Sequence, residues 1–375
     1  MNNENKTVLV EMSGGVDSSM SFIILKELGY NVIGISFKYP VWESKKNLLR
    51  ENSCCTLESF KIAEYICSRY GSDYYIIDQQ EEFKKEIIEY FDNELKNGRT
   101  GNPCVKCNQK LKFGLAFKLL DKFNADYLAT GHYVKNIFNT DTKEYELYTP
   151  KDKSKDQTYF LHILNQDKLS KTLFPLSEYR KEEIYNMAYS KSLKIYENIK
   201  ESSDFCFVAG SSKDDYIKEK LGTKKGDIIN LQGKKVGEHE GLYFYTLGQR
   251  KGIGFFNSKP YYVCGFDFQN NKLIICSEGE KDVLYKDEII IDEVNIINPS
   301  IEEKIKNKEI TEVLAKNRYQ QKFEEASIEF LEDEKYKIKY KNKQLAPTLG
   351  QFCVLYQKTD NEEKICYGGG VIIKA

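Results

Sequence analysis

The chain has 375 residues, of which 30% are charged and 41% apolar, an ordinary composition for a globular protein with room for two or three cores. A net charge of −1 creates no global field for nucleic acid, so an RNA surface has to be a local basic patch. There is no run of about 18 apolar residues of the kind that spans a membrane. The polar start Met1-Asn2-Asn3-Glu4-Asn5-Lys6 lacks the apolar core of a signal peptide and predicts a cytoplasmic protein. Ten cysteines in that reducing compartment are no disulfide framework, so clustered ones point to metal binding or catalysis.

From Thr7 to about Tyr133, short apolar runs alternate with helical segments. The expected strands are Val8–Val10, Val32–Phe37, Tyr74–Ile77 and Tyr127–Thr130, and the expected helices Ser18–Leu28, Leu57–Tyr70, Glu81–Asn97 and Lys110–Lys122. Such alternation predicts an α/β fold with a doubly wound, mainly parallel sheet covered on both faces. Ligands of these sheets sit at the carboxyl ends of the strands. Four stretches fall there: Ser13–Ser19, Phe37 onward, the Cys104 region and Gly131-His132-Tyr133.

Ser13-Gly14-Gly15-Val16-Asp17-Ser18-Ser19 joins a buried strand to a helix. Two glycines let the backbone approach a ligand, while amides at the helix start and the serine hydroxyls suit phosphate. With no Gly-Lys-Ser/Thr after it, the stretch is not a Walker loop. It resembles the pyrophosphate loop of ATP pyrophosphatases, which split ATP between its α and β phosphates and leave AMP on a substrate oxygen. Glycine- and serine-rich turns without a ligand are the bland alternative.

Residues Gly98 to Asn108 read as a loop by their Gly, Asn and Pro content and carry Cys104-x-x-Cys107 just before a helix. A helix start, with Lys106 and Arg99 nearby, favours the thiolate. A half-formed zinc knuckle or incidental thiols are the alternatives. A third cysteine, Cys206, follows a helical block from about Arg180 to Lys194. After Gly210, recurrent glycines between β-prone runs suggest a small β-barrel. The runs Ile289–Ile291, Ser327–Leu331, Tyr336–Tyr340, Gln351–Tyr356 and Ile365–Ile373 suggest a second.

Ser13–Ser19, Ser53-Cys54-Cys55-Thr56, Gly98-Arg99-Thr100 with Asn102-Pro103, Cys107-Asn108, Thr130-Gly131-His132-Tyr133, Lys155-Asp156-Gln157, Ser202–Phe207 and Tyr245–Gly252 together resemble the tRNA-specific 2-thiouridylase family. The match runs in order through nearly the whole chain and is sparsest from about 280 to 345. The resemblance implies a nucleotide-binding catalytic domain (1–210), a small central β domain (211–281) and a C-terminal, tRNA-gripping β-barrel (282–375). It also implies ATP within Glu11, Met12, Ser13, Gly14, Gly15, Val16, Asp17 and Ser18, with Phe37 and Gly131 bordering the adenosine. Asp17 is a candidate Mg²⁺ partner, with capping of the following helix as its bland role.

In the family the cysteine matching Cys206 carries a persulfide, and the one matching Cys107 resolves it, leaving a disulfide between the two. Many members have aspartate where this chain has Cys104. Cys104, Cys107 and Cys206 instead make a three-thiolate set that resembles that of related thiolases, whose C-x-x-C and distant third cysteine hold a [4Fe–4S] cluster; the resemblance implies such a cluster here, with persulfide chemistry as the rival and zinc as a third option. Asn102, Pro103, Cys104, His132, Lys155, Asp156, Gln157, Arg318, Tyr319 and Gln351 match tRNA-contact positions. The implied partners are the Lys, Glu and Gln tRNAs and a sulfur donor, with no membrane and no DNA. Cys54 and Cys55 read as packing residues, as do Cys67, Cys264, Cys276, Cys353 and Cys366. The rival functions are an amidating ligase, which shares the loop but needs neither Cys107 nor Cys206, and a non-catalytic RNA- or iron–sulfur-binding protein.

Overall fold

The computed structural model describes residues 3–42, 56–197, 207–208, 212–253, 260–360 and 362–375. Its first sheet has five parallel strands in the spatial order Tyr74–Asp78, Asn31–Lys38, Thr7–Glu11, Tyr127–Ala129, Thr172–Leu173. The order reverses between Thr7–Glu11 and Tyr127–Ala129, which makes the crevice beyond their carboxyl ends the ligand position of a doubly wound sheet.

Both faces of the sheet are covered, so the central strand is a continuous apolar run: Val8, Leu9 and Val10 are fully buried. Val8 and Val10 share a core with Phe22 and Ile23 of helix Val16–Glu27, and with Ala63 and Ile66 of helix Leu57–Arg69. Leu9 faces the other way, into a core with Ile35, Phe83, Cys107 and Leu111.

The helices on that second face are interrupted. Gln80–Phe83, a π-helical stretch Lys84–Ile88 and Glu89–Lys96 form one run; Pro103–Cys107, a π-helical Asn108–Leu115 and Ala116–Lys122 form the next. The second corrects the sequence expectation, since Cys104 and Cys107 lie inside the helix and not in the loop before it. Pro103 occupies the first turn, where its missing N–H costs nothing, and Asn102 Oδ1 caps the Val105 amide at 3.2 Å.

The described part of the central domain is a four-stranded mixed sheet, Tyr261–Asp267, Lys272–Ser277, Gly226–Asn230 and Lys235–His239 in spatial order. The C-terminal region is a closed antiparallel barrel of six strands. Its order is Tyr285–Ile296, Tyr336–Leu345, Glu324–Phe330, Glu312–Lys316, Phe352–Gln357, Ile365–Lys374, and the first pairs again with the last. A hairpin of the first domain, Lys135–Asn139 and Glu144–Tyr148, extends this sheet by pairing Leu147 with Cys366 and Tyr148 with Ile365. Phe352, Val354 and Tyr356 of the barrel belong to the same core as Cys107 and Leu111. Among the described residues no helix is long and apolar enough to cross a membrane.

Candidate active site

The loop after strand Thr7–Glu11 is shaped by its own small side chains. Ser18 Oγ accepts the Ser13 amide at 3.1 Å and donates to the Gly15 carbonyl at 3.1 Å, folding Ser13 back over the start of helix Val16–Glu27. Gly14 has φ +76° and packs so closely on Ser59 that a Cβ would lie 2.5 Å from the Ser59 carbonyl oxygen. Across the switch point, a Cβ on Gly131 would lie 2.8 Å from the Ser18 nitrogen. Glycine at these two positions lets three backbone segments meet and leaves the first amides of the helix facing a cleft, a geometry suited to phosphate.

That cleft is walled by Glu11, Met12, Ser13, Asp17 and Ser18 on one side and by Ile35, Phe37 and Tyr39 on another. Thr130, Gly131, His132, Gln157 and Lys112 complete it. Phe37 and Tyr39 stack with ring centroids 6.0 Å apart, forming an aromatic wall at the end of strand Asn31–Lys38. Phe37 and Gly131, expected beside adenosine, both border the cleft.

Asp17 does not cap the helix; Gly15 is the cap residue. Its carboxylate accepts from Lys181 Nζ at 2.7 and 2.6 Å, one bond to each oxygen, and from the Tyr133 hydroxyl at 2.8 Å. Neither partner was singled out for this role from sequence. Lys181 lies in the charged stretch Tyr179-Arg180-Lys181-Glu182-Glu183, which reads as a solvated helix start, yet its residue is 9% exposed.

Two titratable groups in the cleft are displaced by burial. Glu11, at the end of the central strand, is pushed up to about 8 by desolvation, with the nearby Lys112 charge pulling it down. Its Oε1 is buried without a hydrogen-bond partner. His132 is pushed down to about 3 by desolvation and the same lysine, so its ring is neutral; its Nδ1 lies 2.8 Å from Thr130 Oγ1.

Cys107 is 6% exposed and Cys104 is half-buried. Three residues apart on one helical turn, they share a face. The cations expected to favour their thiolates are engaged elsewhere: Arg99 pairs with Glu94, and Lys106 Nζ lies 3.1 Å from Glu293 of the barrel. Cys206, Cys54 and Cys55 lie outside the described residues. Phe207, next to Cys206 in the chain, is buried in the core that contains Cys107 and packs on Phe83 and Phe91. Among the described residues no group of three or more His, Cys, Asp or Glu could hold a metal ion. Cys67, Cys276, Cys353 and Cys366 are buried as expected, and Cys264 is half-buried.

The remaining candidates form three groups. Gln157 Oε1 accepts the Tyr133 amide at 2.9 Å, and Asp156 is buried, accepting from the Thr158 amide at 3.0 Å. The Lys155 amide closes a turn on the Asp152 carbonyl. Beside the thiol helix, the Asn102 amide bonds to the Tyr90 hydroxyl at 3.2 Å and Pro103 is buried. Gln351 of the barrel donates to the Thr100 carbonyl at 2.7 Å, holding the segment that leads to Cys104. Arg318 donates to the Ala346 carbonyl at 2.8 Å, and Tyr319 packs on Phe160 with centroids 4.5 Å apart. Gln351 is thus drawn to the segment before the thiol helix, whereas Arg318 bonds within the barrel and Tyr319 packs back on the first domain.

Three family models cover the chain: a tRNA methyl transferase HUP domain over residues 6–210, a tRNA methyl transferase PRC-barrel domain over 214–277, and an aminomethyltransferase beta-barrel domain over 286–372. Among its relatives, the tRNA-specific 2-thiouridylase MnmA of Clostridium acetobutylicum is 35% identical over 370 residues, covering 98% of this chain and 99% of the relative. The protein of the same name from Clostridium botulinum is 38% identical over 371 residues, 98% of each chain. That from Clostridioides difficile is 34% identical over 374 residues, 99% of each. With its phosphate loop at the switch point of the sheet, its thiol helix on one face and relatives matched from end to end, the chain belongs to the tRNA-specific 2-thiouridylase family.

Proposed function

We propose that the protein replaces the C2 oxygen of a tRNA wobble uridine with sulfur and consumes ATP to do so. The observation that carries this reading is a cleft at the strand ends bordered by Ser13, Asp17 and Ser18 of the glycine-rich loop, by Phe37 and Gly131, and by Lys112 from the helical run that opens with Cys104 and Cys107. An amide-like oxygen is a poor leaving group. Attack of uridine O2 on the α-phosphorus expels pyrophosphate, and AMP then departs from C2 when sulfur attacks. The loop amides and Ser13 hold the phosphates, Phe37 and Gly131 border the adenosine, and Cys107 with Cys206 handles sulfur. Methyl transfer, the word in two of the family descriptions, does not call for cleavage of ATP at its α-phosphorus.

Asp17, whose two oxygens now take the Lys181 ammonium, is the carboxylate that would hold Mg²⁺ in exchange for that cation, and the ion would supply positive charge beside the phosphates. For sulfur delivery, a [4Fe–4S] cluster on Cys104, Cys107 and Cys206 fits the shared helical face of the first two. Three protein thiolates leave one iron open, and the cluster when bound supplies inorganic sulfide for C2. A Cys206 persulfide resolved by Cys107 is the second reading, supported by Phe207 packing in the core that holds Cys107. The substrate set is the Lys, Glu and Gln tRNAs, gripped with help from Arg318 and Tyr319. The site of action is the cytoplasm, with a sulfur donor as partner.

Mass spectrometry of tRNA nucleosides after anaerobic reaction with ATP, Mg²⁺ and a sulfur source tests the function, and 2-thiouridine is the expected product. Glutamine-driven AMP release without tRNA would instead identify an amidating ligase. Iron and acid-labile sulfide in anaerobically purified protein decide between the two sulfur routes. Iron-free protein that is fully active with a persulfide donor would sink the cluster.

A further inference from the structure

Two carboxyl side chains line the cleft, Glu11 and Asp17. Asp17 is committed to Lys181 and Tyr133. Glu11 is not: its Oε1 is buried and has no hydrogen-bond partner, a costly state for a polar atom that substrate can relieve.

Strand alternation sets where the group faces. Glu11 follows Leu9 by two residues and so shares its face, the one on which the helix of Cys107 and Leu111 packs. Ser13, two residues on, begins the phosphate loop. Glu11 therefore stands between the place for the ATP phosphates and the thiol helix, where the atom that links adenylate to sulfur has to sit. The titratable and charged groups around it are Lys112 from the thiol helix run, His132 from the loop after Tyr127–Ala129, Tyr39 from the strand Asn31–Lys38 side, and Asp17 with its Lys181 across the loop.

We propose that Glu11 is a catalytic acid–base residue for the uridine: its carboxylate takes the N3 proton as O2 is adenylated and returns it when sulfur displaces AMP. This rests on the thiolation reading above. In the first half-reaction, O2 bonds to the α-phosphorus, the N3–H electron pair becomes the N3=C2 bond, and pyrophosphate leaves with the electrons of the broken P–O bond. The proton moves from N3 to Glu11. In the second, hydrosulfide attacks C2, N3 recovers the proton from Glu11, and AMP leaves with the C2–O pair. The sulfhydryl proton passes to water and C2=S remains. One group thus lends and repays a single proton. Desolvation against the opposing Lys112 charge tunes Glu11 to about 8, close to neutral working pH, where a group can serve in both directions.

The test compares wild type with Glu11→Gln and Glu11→Asp by tRNA-dependent AMP release between about pH 6.5 and 9. The wild-type rate is expected to rise with pH through a limb near the Glu11 value. Glu11→Gln should lose about 100-fold in kcat and lose that limb, with ATP KM nearly unchanged, while Glu11→Asp restores part of the rate and the limb. A Glu11→Gln protein with wild-type kcat and the same pH limb overturns the proposal. So does a raised ATP KM with kcat intact, which would make Glu11 an adenine contact. If Glu11→Gln does not fold, absence of the limb from the wild-type profile alone overturns it. Formation of 2-thiouridine by the wild type is scored first, and its absence would strike the thiolation reading rather than the role of Glu11.

Discussion

Lys181 grips Asp17 of the phosphate loop with one contact to each carboxylate oxygen, at 2.7 and 2.6 Å, although the two residues are 164 positions apart in the chain. The lysine side chain is 11% exposed and the aspartate 33%, so the pair is sheltered but not dry. Removing the ammonium leaves a carboxylate in a site built for a cation. We expect Lys181→Met to lower stability in urea by about 1–3 kcal/mol, below the cost of breaking a fully buried pair. The same variant removes Mg²⁺'s competitor at Asp17. Its melting temperature should respond to lower Mg²⁺ concentrations than that of the wild type, whereas an identical Mg²⁺ response in both proteins would separate Asp17 from the metal.

Gly131 is the second point where the phosphate loop is held from outside. A Cβ there would lie 2.8 Å from the Ser18 nitrogen and 3.0 Å from the Asp17 carbonyl carbon, both backbone atoms that cannot swing aside. Gly131→Ala must push the loop off its position. With an overpacking cost of about 1–3 kcal/mol expressed at the ligand, ATP KM should rise roughly tenfold while the melting temperature moves little. Steady-state AMP release against ATP concentration measures it.

Much of this was legible in the sequence because local chemistry and tertiary environment agree. Val8-Leu9-Val10 reads as a doubly covered strand and is one, and the loop after it carries its signal in consecutive residues. Asn102 and Pro103 misled because the residues that mark a loop also mark a helix start; the cap at Asn102 moves Cys104 and Cys107 into the helix. The hairpin Lys135–Tyr148 escaped because neither strand is buried on its own account, and its place follows from pairing with Ile365 and Cys366 over 200 residues later. Lys181 and Tyr133 were hidden for the same reason. A lysine at a helix start looks solvated until the fold brings a carboxylate to it.

The barrel also reaches the thiol helix. Gln351 donates to the Thr100 carbonyl at 2.7 Å, and the Thr100 amide donates to the Leu349 carbonyl at 2.9 Å. Between them Gly350, at φ +86°, sits where a Cβ would lie 2.5 Å from a Glu94 carboxylate oxygen. Gln351→Ala should cost about 1 kcal/mol of stability. It should also lower thiolation turnover more than ATP binding, because it frees the segment leading to Cys104 and leaves the phosphate loop alone. Equal losses in both would assign Gln351 a general packing role.

Cys104 separates the two sulfur routes by a readout other than turnover. Under the cluster reading, Cys104→Ser removes one of three thiolates, so anaerobically purified protein should lose most of its iron and acid-labile sulfide. Cys107→Ser and Cys206→Ser should lose them equally. Under the persulfide reading, only Cys107 and Cys206 are needed, and Cys104→Ser should stay active with a persulfide donor. In either case tRNA-dependent pyrophosphate release should outlast the loss of 2-thiouridine, since adenylation precedes the thiols.

Glu11 provides a stability test that needs no substrate. Burial raises its folded-state value from an ordinary 4.5 to about 8, so the folded chain keeps a proton that the unfolded chain sheds. The favourable contribution is complete below about pH 4.5 and is lost as pH rises through the folded value, because the slope of stability follows the difference in bound protons. Glu11→Gln cannot ionise and escapes that loss. Relative to wild type, the Glu11→Gln protein should therefore gain melting temperature steadily from pH 5 to pH 8 and level off above it. A wild-type to variant difference that is flat across this range would mean that the carboxyl is already ionised in the folded cleft, where Lys112 would have to outweigh burial.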